Sequence, residues 1–123
     1  MPRGVFVVYS NCTEASRDEE FNRWYTHIHL PDLSNTKGLV KARRFRNLRG
    51  LQGPSQYLTI YEFESDDLED SVRELSNTAV EAFAKGRHID CFGVAGMHLF
   101  EEIDPNSLEP LGDVDYPKEM LKG

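Results

Sequence analysis

Residues 56–83 read QYLTIYEFESDDLEDSVRELSNTAVEAF, and this stretch decides the fold. Gln56 to Phe63 is β-branched and aromatic, the composition of a pleated strand. Tyr57, Ile60, Tyr61 and Phe63 put large apolar groups on both of its faces. Ser65 and Asp66 are N-cap residue types. Leu68, Val72, Leu75, Ala79 and Phe83 then recur at steps of three and four, the apolar stripe of an amphipathic helix. Gly86 supplies its C-terminal stop.

Working outward, Phe92 to Glu102 is a last strand. Upstream, Asn47 to Ser55 contains Gly50, Gly53 and Pro54 and makes a hairpin loop, preceded by a strand from Leu39 to Arg46. Lys37-Gly38 is turn chemistry. Phe21, Trp24, Tyr25 and Ile28 share one helical face, behind a capping box of Ser16 and Glu19, and Pro31 is expected to break that helix. Val5 to Tyr9 has no polar alternation and suits a strand buried on both faces. The order β-α-β-β-α-β predicts an α+β, ferredoxin-like fold: a four-stranded antiparallel sheet with two helices on one face. Phe6 and Val8, with the third strand, leave apolar surface that two helices cannot cover. A second copy is expected to close the structure into a dimeric α+β barrel. The domain spans residues 1–104. Residues 105–123 form an acidic, proline-containing tail with enough apolar side chains, among them Leu108, Tyr116 and Leu121, to drape over its own subunit or the partner.

The remaining composition narrows the function. At 123 residues and 39% hydrophobic, the chain has room for one domain with a real core. No apolar run approaches the roughly 20 residues of a membrane helix, and no leader pattern is present, so a cytoplasmic protein away from membranes is expected. A net charge of −7 argues against nucleic acid as a partner. The basic stretch Lys41 to Arg49 is read as a strand with solvated or ion-paired arginines, a bound anionic substrate or an inter-subunit salt bridge being the alternatives; Arg44 is expected either to pair with Glu62 or to face a bound substrate. Cys12 and Cys91 fit no metal spacing. The strand order puts both near one edge of the sheet, expected to be reduced and at the end away from His29.

The run Glu20 to Leu33, EFNRWYTHIHLPDL, resembles the EthD-like branch of the dimeric α+β barrel superfamily. Its aromatic pair, histidine and proline fall on Trp24, Tyr25, His29 and Pro31. The Lys37-Gly38-Leu39 turn with its following strand, and YLTIYEFES at residues 57–65, are similar too, so the resemblance spans roughly residues 4–103. Thr26 departs from it, standing where relatives often carry an acidic residue. What the resemblance implies is a homodimer with a small-molecule ligand, and chemistry that ranges over isomerases, cyclases, dehydratases, decarboxylases and oxygenases. Most of the non-oxygenase chemistry moves a proton beside a carbonyl and needs no cofactor.

Such chemistry needs a group titrating near neutrality in a dry pocket. His29 lies at the rim of the first helix's apolar stripe, where the helix dipole favours its protonated form and Asp32 could orient it. His98 alternates with Phe92, Val94, Gly96 and Phe100 on the last strand, and the topology allows it to share a pocket with His29. Tyr25 is a further acid–base candidate, and Trp24, Tyr25, Tyr57 and Tyr61 would line a site for a flat ligand. His27 and His29 point to different sides of a helix and cannot share a metal ion; no metal and no haem are expected. The leading expectation is a cofactor-independent lyase, isomerase or cyclase acting on a small cyclic or polyketide-like carbonyl compound. The alternative is a non-catalytic binding or dimerisation module, and a cofactor-free monooxygenase is the weaker third.

Overall fold

The computed structural model describes residues 1–50 and 52–112. Strand β1 (Arg3–Cys12) leads through a short 3₁₀ turn (Ala15–Arg17) into helix α1 (Asp18–Trp24). A π-helical turn (Tyr25–His29) joins α1 directly to α2 (Leu30–Leu33). Strands β2 (Leu39–Arg46) and β3 (Tyr57–Glu64) form the hairpin, helix α3 (Leu68–Ala84) crosses back, and β4 (Phe92–Glu101) ends the sheet. The sheet order is β2-β3-β1-β4, all antiparallel. This is the ferredoxin-like arrangement that the element order predicts, with both helical layers on one face.

The register fixes which side chains meet the helices. Phe6, Val8, Tyr61 and Phe63 pack with Leu33 and Leu75 in one core cluster. Phe21, Trp24, Tyr25 and Tyr57 form a second cluster with Cys12 and Cys91. The opposite face carries Val5, Val7 and Tyr9 of β1 beside Leu58, Ile60 and Glu62 of β3, flanked by Phe45 and the exposed Phe100. No described element covers it.

Three local expectations are corrected. Ser16 is not a cap: it lies inside the 3₁₀ turn, and no side chain caps α1. Arg17 instead gathers Glu14, Glu20 and Asp90, which ties the start of the helical segment to the loop before β4. The α3 cap is Asp67, which accepts from the Asp70 amide, rather than Ser65 or Asp66. Pro31 does not break the first helix. The Leu30 amide reaches back five residues to the Tyr25 carbonyl. This widened turn relieves the clash between a proline ring and the carbonyl one turn earlier, and the helix continues to Leu33.

At the other end of the sheet, Gly38 turns the chain with φ +87, and a β-carbon there would sit 3.0 Å from the Glu64 carbonyl oxygen. Of the tail, residues 113–123 lie outside the described residues, so the expected draping concerns mostly undescribed chain; Leu108 and Leu111 are exposed. No described helix is long and apolar enough to cross a membrane.

Candidate functional site

The π turn builds the site. In a regular helix each residue advances about 100°; a π turn advances less per residue, so the residues after it rotate back. His29, expected at the rim of the stripe, is thereby carried to its centre and buried, while Ile28 moves to the edge. Helical side chains lean toward the N-terminus, and the imidazole accordingly lies back over the preceding turn. It stacks on Trp24 with centroids 4.9 Å apart and nearly parallel planes, and on Phe83 of α3 at 5.5 Å. Tyr25 meets it edge-on at 5.0 Å.

This aromatic box sets the chemistry of His29. Burial pushes its pKa down to about 4, with the Asp32 charge pulling weakly the other way and Arg44 adding to the depression. The ring is therefore neutral at pH 7, opposite to the expectation that the helix end favours its charged form. Asp32 does not hold the imidazole: its carboxylate accepts from Arg87 Nε at 2.7 Å. Arg87 also gives its backbone carbonyl to Trp24 Nε1, at 2.9 Å. Asp32 and Trp24 thus fasten the helical segment to the loop after α3.

Beside the box lies an apolar cleft of about 250 Å³ between the helical layer and the sheet. Phe6, Val8 and Tyr61 of the sheet, Tyr25, His29 and Leu33 of the first helical segment, and Leu75, Ala79 and Phe83 of α3 line it, with Phe92, Val94 and Met97 at its β4 side. The Tyr25 and Tyr61 hydroxyls lie 3.4 Å apart. Burial raises the pKa of both phenols, that of Tyr61 more strongly, so both remain protonated donors. A larger groove of about 890 Å³ runs between the first helix and residues 86–90. It opens broadly to solvent, and its arginines are already paired, Arg17 with Glu20 and Asp90, Arg23 with Glu19.

Of the residues singled out in the sequence, Tyr25, His29 and Tyr61 line the cleft together. Trp24 lies behind His29. Tyr57 is buried but outside the cleft: its hydroxyl donates to Asp18 and accepts from Asn22, joining β3 to α1. Arg44 sits over the Tyr25 ring, its guanidinium carbon 4.3 Å from the centroid, and donates from Nη1 to Thr26 Oγ1 at 3.2 Å. Its Nε and Nη2 are buried without partners, as are the hydroxyls of Ser10 and Thr59. Arg44 does not pair with Glu62, which faces the other side of the sheet and meets Arg43 at 3.4 Å.

His98 lies elsewhere. The β1–β4 register slips between Tyr9 and Ser10: Tyr9 pairs with Gly96 and Ser10 with Val94, leaving Ala95 as a bulge. Val94 and Met97 therefore face the helices together, and His98 turns to the uncovered face, edge-on to Tyr9 at 5.8 Å. A shared His29–His98 pocket is not what the structure contains. Gly93 and Gly96, glycines inside a strand pattern, were the available signal for this bulge. The α3 residues of the cleft were legible only as core.

The cysteines are neighbours as the strand order requires. Cys12 pairs in register with Phe92, and the Thr13 amide donates to the Cys91 carbonyl at 2.8 Å. Both are free thiols. They are not remote from His29, however, for they pack in the cluster with Trp24, Tyr25 and Phe92, three rings that touch the imidazole. Among the described residues no group of three or more His, Cys, Asp or Glu is placed to hold a metal ion.

No protein-family model and no curated protein matches this sequence. Solved structures do match in fold. A candidate antibiotic biosynthesis monooxygenase from Bordetella bronchiseptica superposes with TM-score 0.63 at 12% identity, covering 84% of this chain and 99% of that one. A DABB family protein with a ferredoxin-like fold from Mesorhizobium loti gives 0.57 at 17% identity, over 91% and 100% of the two chains. A dimeric ferredoxin-like protein of unknown function from Thermobifida fusca gives 0.52 at 10%, over 82% and 90%. The chain thus shares the ferredoxin-like fold of these structures.

Proposed function

We propose that the protein binds a small carbonyl compound in the cleft beside His29 and acts on it by acid–base chemistry without a cofactor, as a lyase, isomerase or cyclase. One observation carries this reading: a buried, uncharged imidazole and two protonated phenols converge on an otherwise apolar cleft of about 250 Å³. A neutral imidazole accepts a proton from a carbon next to a carbonyl. A phenol hydroxyl donates to the carbonyl oxygen as it gains enolate charge. The aromatic box disfavours the imidazolium that results, so the proton is held only briefly before it returns to carbon or oxygen of the ligand. Asp32 contributes the one stabilising negative charge nearby.

A non-catalytic binding module uses the same cleft, and the low basicity of His29 favours it. Cofactor-free oxygenation is the third reading, and the name of the Bordetella neighbour favours it. The three part in one experiment. The full chain is incubated with 2-tetralone, an uncharged bicyclic ketone, in D₂O, and exchange at the carbons beside the carbonyl is followed by NMR while dissolved oxygen is recorded. Exchange faster than in buffer is expected, falling by roughly 10²–10⁴-fold in His29→Gln. Binding without exchange would leave the non-catalytic module, and oxygen uptake would leave the oxygenase.

The uncovered sheet face supports a homodimer. Val5, Val7, Tyr9, Leu58, Ile60 and Phe100 form a continuous apolar surface there, with the Arg43–Glu62 pair at its border. A second copy would take this surface out of water. Light scattering is expected to give twice the 14.1 kDa chain mass; a stable monomer would remove the barrel.

A further inference from the structure

The proposed chemistry leaves the charge of the ligand open, and the cleft constrains it. None of its fourteen lining residues is Asp, Glu, Lys or Arg. Its hydrogen-bonding side chains are the His29 ring, the Tyr25 and Tyr61 hydroxyls, and Ser76 at the exposed surface of α3. Two charged groups lie close by, and neither is part of the described lining. Asp32 is bound to Arg87. Arg44 is held over the Tyr25, Tyr57 and Phe21 rings and bonded to Thr26; its unpartnered Nε and Nη2 are shut from solvent and it is not part of the lining.

We infer that the cleft selects uncharged molecules of one or two rings bearing a hydroxyl or carbonyl group, and rejects the carboxylates and phosphates of the same skeleton. The inference rests on the cleft being the ligand site. An anion entering it would lose its water and find no cationic side chain among the described lining residues, and two or three neutral donors offset only part of that cost. A neutral ring keeps its dispersion and aromatic contacts with Phe83, Tyr61 and Phe6, and places one polar group against His29 or the phenols. The volume lies just below the ~300 Å³ at which drug-sized sites begin, which sets the limit of two rings.

The test is calorimetric titration of the full chain at pH 7 with 2-naphthol and with 2-naphthoate, which share a skeleton and differ in charge. The naphthol is expected to bind at least about tenfold more tightly, since burial of an unpaired carboxylate is the larger cost. Ala79→Trp fills the cleft and is expected to abolish naphthol binding. Should that variant fail to fold, Ser76→Phe obstructs the same space from the exposed surface of α3. Naphthoate binding as tight as naphthol, and lost in the filled variant, would overturn charge selection while leaving the cleft as the site; Arg44 would then be the group to replace. Binding of neither compound, or naphthol binding undisturbed by both obstructing substitutions, would overturn the cleft as the site and the inference with it.

Discussion

Helix α3 and the helical segment from Asp18 to Leu33 cover the same face of the sheet, and they are built differently. Helix α3 is seventeen residues of regular helix, capped by Asp67 and closed at Gly86, where φ is +81. Its stripe meets the sheet at the spacing its sequence states. The first segment changes pitch twice, from α to π and back, and its buried face follows the tertiary packing rather than an unbroken 3.6-residue period. The regular helix supplies wall. The irregular one supplies the imidazole and one of the phenols. The inserted residue in the first segment puts a polar ring among aromatic ones, at the wall of the candidate cleft.

Removing the inserted residue tests the comparison most severely. His27 is exposed, and its deletion converts the π turn to a plain one. His29 stays on the buried face, but the Pro31 ring then meets the carbonyl four residues before it, costing about 3 kcal/mol or more. Urea unfolding should show that loss, and Pro31→Ala in the deletion background should restore most of it. Pro31→Ala alone should change little. A neutral deletion would mean the π turn is not what accommodates the proline.

The second effect is of similar size and depends on pH. The His29 pKa falls from 6.5 to about 4 on folding, so the unfolded chain binds the extra proton between those values. Stability from this group is complete above pH 6.5, declines as the pH falls, and is fully lost only below about pH 4. The loss amounts to about 3 kcal/mol, at 1.36 kcal/mol for each pKa unit. His29→Phe keeps the aromatic packing and should show less acid destabilisation than the parent by that amount. Parallel pH profiles for the two proteins would show that the imidazole is not held neutral.

The smallest effect belongs to the regular helix. Asp67→Ala removes the side-chain acceptor for the Asp70 amide and should cost about 1 kcal/mol in thermal or urea unfolding. Ligand affinity should be unchanged, because Asp67 caps α3 ahead of the residues, Leu75 to Phe83, that the helix lends to the cleft. A lost cap that also weakened binding would show that the two helices are coupled, and the contrast between wall and site would have to be redrawn.

Local patterns made most of the fold legible. The stripe from Leu68 to Phe83, the turn at Lys37-Gly38, the hairpin loop and the alternation of β3 each state their structure in a few residues, because propensity and burial point the same way. The pairing of Cys12 with the start of β4 followed from strand order alone. The site was half legible. Tyr25, His29 and Tyr61 stood out by residue type, but the helical wheel placed His29 at a rim with Asp32 able to orient it, and strand alternation placed His98 on the face of Phe92 and Val94. Each of those placements assumed an unbroken period.

The sequence by itself determined the order of elements, the strand neighbours, the two-sided apolar sheet and the aromatic character of the first helix. These follow from short-range periodicity, which a chain carries in its own residue spacing. Only the tertiary structure decided where the periods slip: an added residue in the π turn before Pro31, and another at Ala95 in β4. A slip of one residue costs little locally, so neighbouring residues barely encode it. The packing of distant elements chooses it, and each slip sends a histidine to the face that packing prefers. His29 goes into the aromatic box, where burial depresses its pKa, and His98 goes out to the uncovered face of the sheet.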